Sequence, residues 1–160
     1  MKTTIGLGFD VHPLKKGIPL FLGGIEIPFR KGLVGHSDGD CLIHTIIDAL
    51  LGAVGDQDIG QLFPDTEKRF FNVRSTELLK HVAEILSKKN AEILHIDSIV
   101  VAEEPKLTPF IASMKETICP LLGLSVNSLG IKAKTCEKMG VVGKGKAISA
   151  LATALVSLPE

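Results

Sequence analysis

The chain has 160 residues, 45% of them hydrophobic and 22% charged, with eighteen basic against eighteen acidic side chains and no formal net charge. That length and apolar content fit one globular α+β domain over residues 1–160 with enough core to fold alone, and no repeat, linker or low-complexity tract divides it. The balanced charge excludes the basic bias common in nucleic-acid binders, the lack of Trp and Tyr removes most base-stacking platforms, and no apolar run reaches the ~18 residues of a membrane span.

Ile5 to His12 reads as the first strand. Its alternation sends Ile5, Leu7, Phe9 and Val11 to one face, expected to be core, and Gly6, Gly8, Asp10 and His12 to the other, expected to be open. The two glycines leave space beside the only polar side chains, as where something must approach the sheet closely. On spacing alone, a surface Asp-His pair at a strand end is the simpler reading of Asp10-Val11-His12. Pro13 to Gly17 reads as a turn, and the apolar stretches around Leu20 and Ile25, split by Gly23-Gly24, as a short hairpin.

His36-Ser37-Asp38-Gly39-Asp40 precedes a helical stripe at Ile43, Ile46, Ile47, Leu50, Leu51 and Val54, with Ser37 or Asp38 as its expected cap. Asp40, His44 and Asp48 recur every four residues as a polar line. One reading is a solvated face; the other gives His44 to a metal, with Asp40 or Asp48 holding its second ring nitrogen. Neither wins on this segment alone. Asp10, His12 and His44 together have the types and number of a zinc site with three protein ligands and one open position.

Gly55 to Thr66, rich in Asp and Gly, reads as a long functional loop. Further helices are expected over Val73–Lys88 and Pro109–Leu122, the latter distorted near Pro120, and over Ala147–Leu158; strands are expected over Ile93–Ala102 and Leu129–Thr135. This order favours a sandwich with a mixed β-sheet whose helices cover one face. The other face then needs a partner, and subunits are expected to meet across the small and polar side of the first strand. Lys132, Lys134, Lys138, Lys144 and Lys146 crowd the region before the last segment, either as solvated surface or for a phosphate-bearing ligand. Cys41, Cys119 and Cys136 are odd in number and widely spaced, which argues against a disulfide framework. With no signal-like apolar stretch, the expected setting is a bacterial cytoplasm; a trimmed protein of the plastid stroma would read the same.

Gly8-Phe9-Asp10-Val11-His12, His36-Ser37-Asp38-Gly39-Asp40, His44, Asp58-Ile59-Gly60, Phe63-Pro64-Asp65-Thr66, Pro105-Lys106 and Thr135-Cys136-Glu137-Lys138 occur in this order along nearly the whole chain. In these motifs the chain resembles the 2-C-methyl-D-erythritol 2,4-cyclodiphosphate synthase family of the non-mevalonate isoprenoid route. The resemblance implies a homotrimer with its sheets around a threefold axis and active sites between subunits. It implies a lyase reaction in which the 2-phosphate of 4-diphosphocytidyl-2-C-methyl-D-erythritol 2-phosphate attacks the β-phosphorus of the same molecule, releasing CMP. It further implies one Zn2+ per subunit on Asp10, His12 and His44, and Mg2+ or Mn2+ on the diphosphate with help from Glu137.

His36 and Thr135 match positions of transition-state stabilisation in that family, and Asp10, His12, Ser37, Lys134, Cys136 and Glu137 match substrate contacts. Asp58, Ile59, Gly60 and the run Phe63, Pro64, Asp65, Thr66, Glu67 match substrate loops. Ala102, Glu103, Glu104, Pro105, Lys106, Leu107 and Thr108 match the cytidine pocket. Departures gather near the C-terminal motif: Cys136, Val141, Lys144 and Lys146 stand where many relatives have Thr, Phe, Arg and Glu. The matching Arg and Glu line a central cavity that can hold an isoprenoid diphosphate, and lysine keeps the charge of arginine without its planar fork. The competing classes are a zinc-stabilised nucleotide-binding protein, against which an open metal position argues, and a metal-dependent phosphohydrolase, against which the lack of an assigned general base argues. No nucleic-acid or membrane partner is expected.

Overall fold

The computed structural model describes residues 1–160. Strand β1, Lys2–Lys16, pairs antiparallel with β7, Ala147–Leu158, from Lys2↔Leu158 to Pro13↔Ala147. Pro13, expected to open a turn, lies inside β1, and its carbonyl accepts the Val34 N–H at 2.9 Å. The turn starts at Gly17, whose φ of +80° suits a residue without a Cβ. β4, Lys31–Leu33, borders β1 on one side, while β7 pairs on its other edge with β5, Glu92–Val101, which runs parallel to β6, Leu129–Lys134. The mixed sheet therefore has the order β4-β1-β7-β5-β6. β2, Leu20–Leu22, and β3, Ile25–Ile27, form a separate hairpin about Gly23-Gly24, as expected.

The helices are α1, Cys41–Ala53; α2, Ile59–Leu62; α3, Ser75–Lys88; α4, Ile111–Leu122; and α5, Gly140–Gly143. α1 is buried almost all round, with Ile43, Ile46, Ile47, Leu50 and Leu51 inaccessible to solvent, because it lies between the sheet and α3. α3 buries Ser75 and the apolar stripe Leu78, Leu79, Val82 and Leu86. α4 continues through Pro120 to Leu122 and stops at Gly123, in the left-handed region at φ +65°.

Two further expectations are corrected. Ala147–Leu158 is the central strand and not a helix. Its Ala, Leu and Val content suits either element, but β1 and β5 satisfy its backbone on both edges, and its alternation turns Ala150, Ala152, Ala154 and Val156 inward and Leu151 and Leu155 outward. The faces of β1 are also reversed. Gly6 and Gly8 are buried under α1, while Ile5, Leu7, Phe9 and Val11 are 70%, 67%, 58% and 47% exposed. Glycine is needed there because a Cβ on Gly6 would stand 1.9 Å from the Ala49 carbonyl oxygen, and one on Gly8 2.0 Å from that of Thr45. The small and polar side of β1 is thus occupied by α1, and the free face of the sheet is the apolar one.

Gly8→Ala should force α1 away from the sheet and lower the unfolding free energy by about 3 kcal/mol, the upper range for overpacking a tight contact; urea unfolding monitored by circular dichroism measures it.

Candidate functional site

Asp10 and His12 project from β1 on the α1 side, and the first turn of α1 brings His44 over them. Asp10 Oδ2 lies 2.8 Å from His12 Nε2 and 3.0 Å from His44 Nδ1, and the two nitrogens are 3.2 Å apart. The outer ring nitrogens are engaged elsewhere. His12 Nδ1 stands 2.8 Å from the Val34 carbonyl, which can only accept, so that nitrogen carries the proton. His44 Nε2 stands 2.9 Å from Ser75 Oγ and 3.0 Å from Ser37 Oγ. With both outer nitrogens engaged, a lone pair of His12, the inner nitrogen of His44 and a carboxylate oxygen converge, a set held together by a positive charge between its members. These residues therefore fit a three-ligand metal site.

The electrostatics agree. Burial raises the Asp10 carboxyl, but hydrogen bonds from His12 and His44 outweigh it and hold the group well below the usual carboxylate range. Burial lowers the His12 imidazole, yet its hydrogen bond to Asp10 leaves it raised overall. The cluster attracts positive charge, a proton when no metal is bound.

The expected partners of His44 are corrected. Asp40 does not touch its ring: fully buried, it caps α1 by accepting the Ile43 N–H at 3.0 Å and also accepts the N–H groups of Gly23 at 3.0 Å and Gly24 at 2.7 Å. It supplants Ser37 and Asp38 as the cap. Burial, followed by the neighbouring Asp38 charge, raises the Asp40 carboxyl. Asp48 accepts the Ile59 N–H at 2.8 Å, tying α2 to α1, and burial raises its carboxyl too. A helix period places side chains on one line, but which of them reaches a given ring is decided by what packs there.

The three converging groups open into a cavity of about 370 Å³ lined also by His36, Ser37, Asp48, Ile59, Gly60, Phe63, Asp65, Phe70 and Leu78. His36 packs edge-on against Phe71, and its Nε2 is buried with no partner in the chain, so its hydrogen-bonding capacity is available to a ligand. Of the remaining loop positions, Pro64, Thr66 and Glu67 lie outside the lining, Glu67 paired with Arg69 at 2.5 Å. Asp58 caps α2, accepting the Gln61 N–H at 2.9 Å and the Gln61 amide at 2.8 Å.

A second cavity, of about 520 Å³, is lined by Ala102, Glu103, Glu104, Pro105, Lys106, Leu107 and Thr108 together with Ala133, Lys134 and Thr135. The N–H groups of Glu103, Glu104, Lys106 and Leu107 have no backbone partner in the chain. The Thr135 hydroxyl donates to Glu137 at 2.9 Å. Cys136 is half-buried, Val141 is exposed on α5, and Lys144 lines a charged cleft with Arg30, Lys31, Glu103, Glu104 and Lys138. The two cavities share no lining residue: Asp10, His12, His36 and His44 line the first, Thr135 the second, and Glu137 neither. Ser75 is the functional contact that sequence reading missed; it opens α3 far from His44 along the chain, and no local pattern marks it.

Residues 3–157 match the family described as the YgbB family. Among curated proteins, the 2-C-methyl-D-erythritol 2,4-cyclodiphosphate synthase of Caldicellulosiruptor bescii is 48% identical over 152 residues, covering 95% of this chain and 97% of that protein. The protein of the same name from Bacillus subtilis is also 48% identical, over 95% of this chain and 96% of its own length. Among solved structures, the bifunctional IspDF from Campylobacter jejuni superposes with a TM-score of 0.94 at 38% identity, over 99% of this chain and 43% of that longer one. The Plasmodium falciparum IspF CDP complex gives 0.86 at 34% identity, over 99% and 97%.

Asp40→Ala leaves Gly23, Gly24 and Ile43 N–H groups without their acceptor; the loss should be about 3 kcal/mol of stability, as for a buried charged acceptor that also caps a helix. Thermal and urea unfolding measure it.

Proposed function

The chain belongs to the YgbB family, whose curated relatives carry the name 2-C-methyl-D-erythritol 2,4-cyclodiphosphate synthase, and from that premise we infer that it cyclises 4-diphosphocytidyl-2-C-methyl-D-erythritol 2-phosphate. An oxygen of the 2-phosphate attacks the β-phosphorus, the bond from that phosphorus to the bridging oxygen breaks, and CMP departs with the oxygen. The observation that carries this reading is the convergence of Asp10, His12 and His44 in a cavity that His36 and Ser37 also line.

The nucleophile is already anionic, so the reaction needs no general base. It needs two negative groups held together and the developing charge neutralised. Zinc on Asp10, His12 and His44, with magnesium or manganese near Glu137, supplies charge neutralisation and Lewis acidity toward phosphate oxygens. Around it, the unpartnered Nε2 of His36 and the hydroxyl of Ser37 are suited to donate to the 2-phosphate. Thr135 and Lys134, at the rim of the second cavity, are suited to the diphosphate, and the free N–H groups between Glu103 and Leu107 to the cytosine edge. Ile59, Gly60, Phe63 and Asp65 enclose the erythritol, with Asp65 able to accept its hydroxyls.

The assembly is a homotrimer in this reading. An apolar sheet face carrying Ile5, Leu7, Phe9, Val11, Leu151 and Leu155 is the kind of surface that a partner covers. Pairing the metal-bearing cavity of one subunit with the nucleotide cavity of its neighbour unites the groups that one chain keeps apart. Exposed Lys144 and Lys146 suit an anionic isoprenoid diphosphate at the axis by charge. A cytoplasmic setting accords with three free thiols.

Incubation of the purified protein with the diphosphocytidyl substrate, zinc and magnesium should yield CMP and a cyclic diphosphate by phosphorus NMR; open-chain phosphates alone would mean hydrolysis instead. His44→Ala should lose stoichiometric zinc and turnover together, read by metal analysis and the same NMR assay. In sedimentation equilibrium the wild type should have three times the 17.1 kDa chain mass, and Phe9→Glu should sediment as a folded monomer with no turnover.

A further inference from the structure

The orientation of His44 is set by a chain of groups whose direction is fixed at its far end. The Asp38 side chain, only 4% exposed, meets donors alone. Its Oδ1 accepts the Asp40 N–H at 3.2 Å and the Ser75 hydroxyl; its Oδ2 accepts the Ser75 N–H at 3.0 Å and the Arg74 Nε–H at 3.1 Å. A serine hydroxyl has one hydrogen to give. That of Ser75 lies on Asp38, so toward His44 Nε2, at 2.9 Å, the Ser75 oxygen can only accept. His44 Nε2 must then carry the ring proton, and the lone pair of Nδ1 faces Asp10 and His12. Ser37, at 3.0 Å from the same nitrogen, cannot impose this, because its own hydrogen is free to point either way.

We propose that Asp38 and Ser75 are positioning residues of the metal centre, forming a hydrogen-bond relay from Asp38 through Ser75 to His44 that fixes the metal-binding tautomer of His44. The inference rests on reading Asp10, His12 and His44 as metal ligands. Arg74 completes the relay from outside. Its guanidinium stacks on Phe21 at 4.0 Å from the ring centroid, donates to the Gly24 carbonyl at 3.0 Å, and holds the Asp38 carboxylate against the start of α3. The Ser37 hydrogen can go to Ser75 Oγ, 3.5 Å away, or to an anionic oxygen in the cavity that Ser37 lines.

Asp38→Asn tests the direction of the relay with almost no change of shape. The new amide nitrogen belongs on the Oδ1 side, where it opposes one fixed N–H and a hydroxyl that can rotate; on the Oδ2 side it would oppose two fixed donors. Ser75 then receives from Asn and donates to His44 Nε2, which shifts the ring proton to Nδ1 and blocks the metal. Zinc affinity of the full-length protein, measured by chelator competition, should fall by about ten- to hundredfold, the usual effect of losing a group that orients a ligand. Adding Ser75→Ala to Asp38→Asn removes the misdirected donor and leaves Ser37 as acceptor, so the double variant should bind zinc more tightly than Asp38→Asn alone. A carboxylate that only caps α3 and pairs with Arg74 gives no such recovery. Unchanged zinc affinity in Asp38→Asn, or a double variant no better than the single one, would overturn the relay. If Asp38→Asn does not fold, a long-range proton–nitrogen correlation spectrum of zinc-free wild type at alkaline pH decides: a proton on His44 Nε2 supports the relay, and one on Nδ1 refutes it. Wild-type protein that binds no zinc would count against the metal reading alone, since that spectrum still reports the tautomer.

Discussion

The architecture depends on how closely α1 lies against β1. The carbonyl oxygens of Thr45 and Ala49 occupy the space that Cβ atoms on Gly8 and Gly6 would fill. The inward row of Ala150, Ala152 and Ala154 on β7 keeps the adjoining strand equally low. This small separation lets a histidine in the first turn of the helix reach a carboxylate and an imidazole on the strand. Along its axis the helix is fixed by Asp40, which binds its N-terminus and the β2–β3 turn with one carboxylate. Both devices belong to regular elements, and those hold side chains more accurately than loops do.

What the packing brings together is unfavourable by itself. Two ring nitrogens and a carboxylate oxygen lie within 4.8 Å of one another and need a shared positive charge, proton or metal, between them; their outer contacts keep the rings from turning away. The resulting field is what makes the cluster a receptor for positive charge, and metal binding there is coupled to the stability of the fold. The same economy operates one layer out, where Asp38 offers only acceptors to four donors and so dictates the direction of every hydrogen bond between it and His44.

One sheet face carries long apolar side chains into solvent, and the two cavities with complementary chemistry share no lining residue within a chain. In the proposed trimer, a partner that covers the first would complete the second and so link assembly to activity through one surface.

The sequence by itself determined the hairpin at Gly23-Gly24 and the three longer helices, because each rests on local chemistry: a repeat of apolar positions or a turn that requires glycine. It also carried enough ordered motifs to indicate the family. It did not determine the faces of β1, since glycine opposite leucine reads equally well as open space or as a helix pressed on bare backbone. Nor did it settle the last segment, where Ala-rich apolar composition satisfies both helix and strand until β1 and β5 supply hydrogen bonds on either side. The partner of His44 was beyond its reach for the same reason. Asp40 and Asp48 share the period of His44, but Ser75 comes to the ring from another helix, and only packing between elements distant in sequence decides which hydroxyl or carboxylate arrives there.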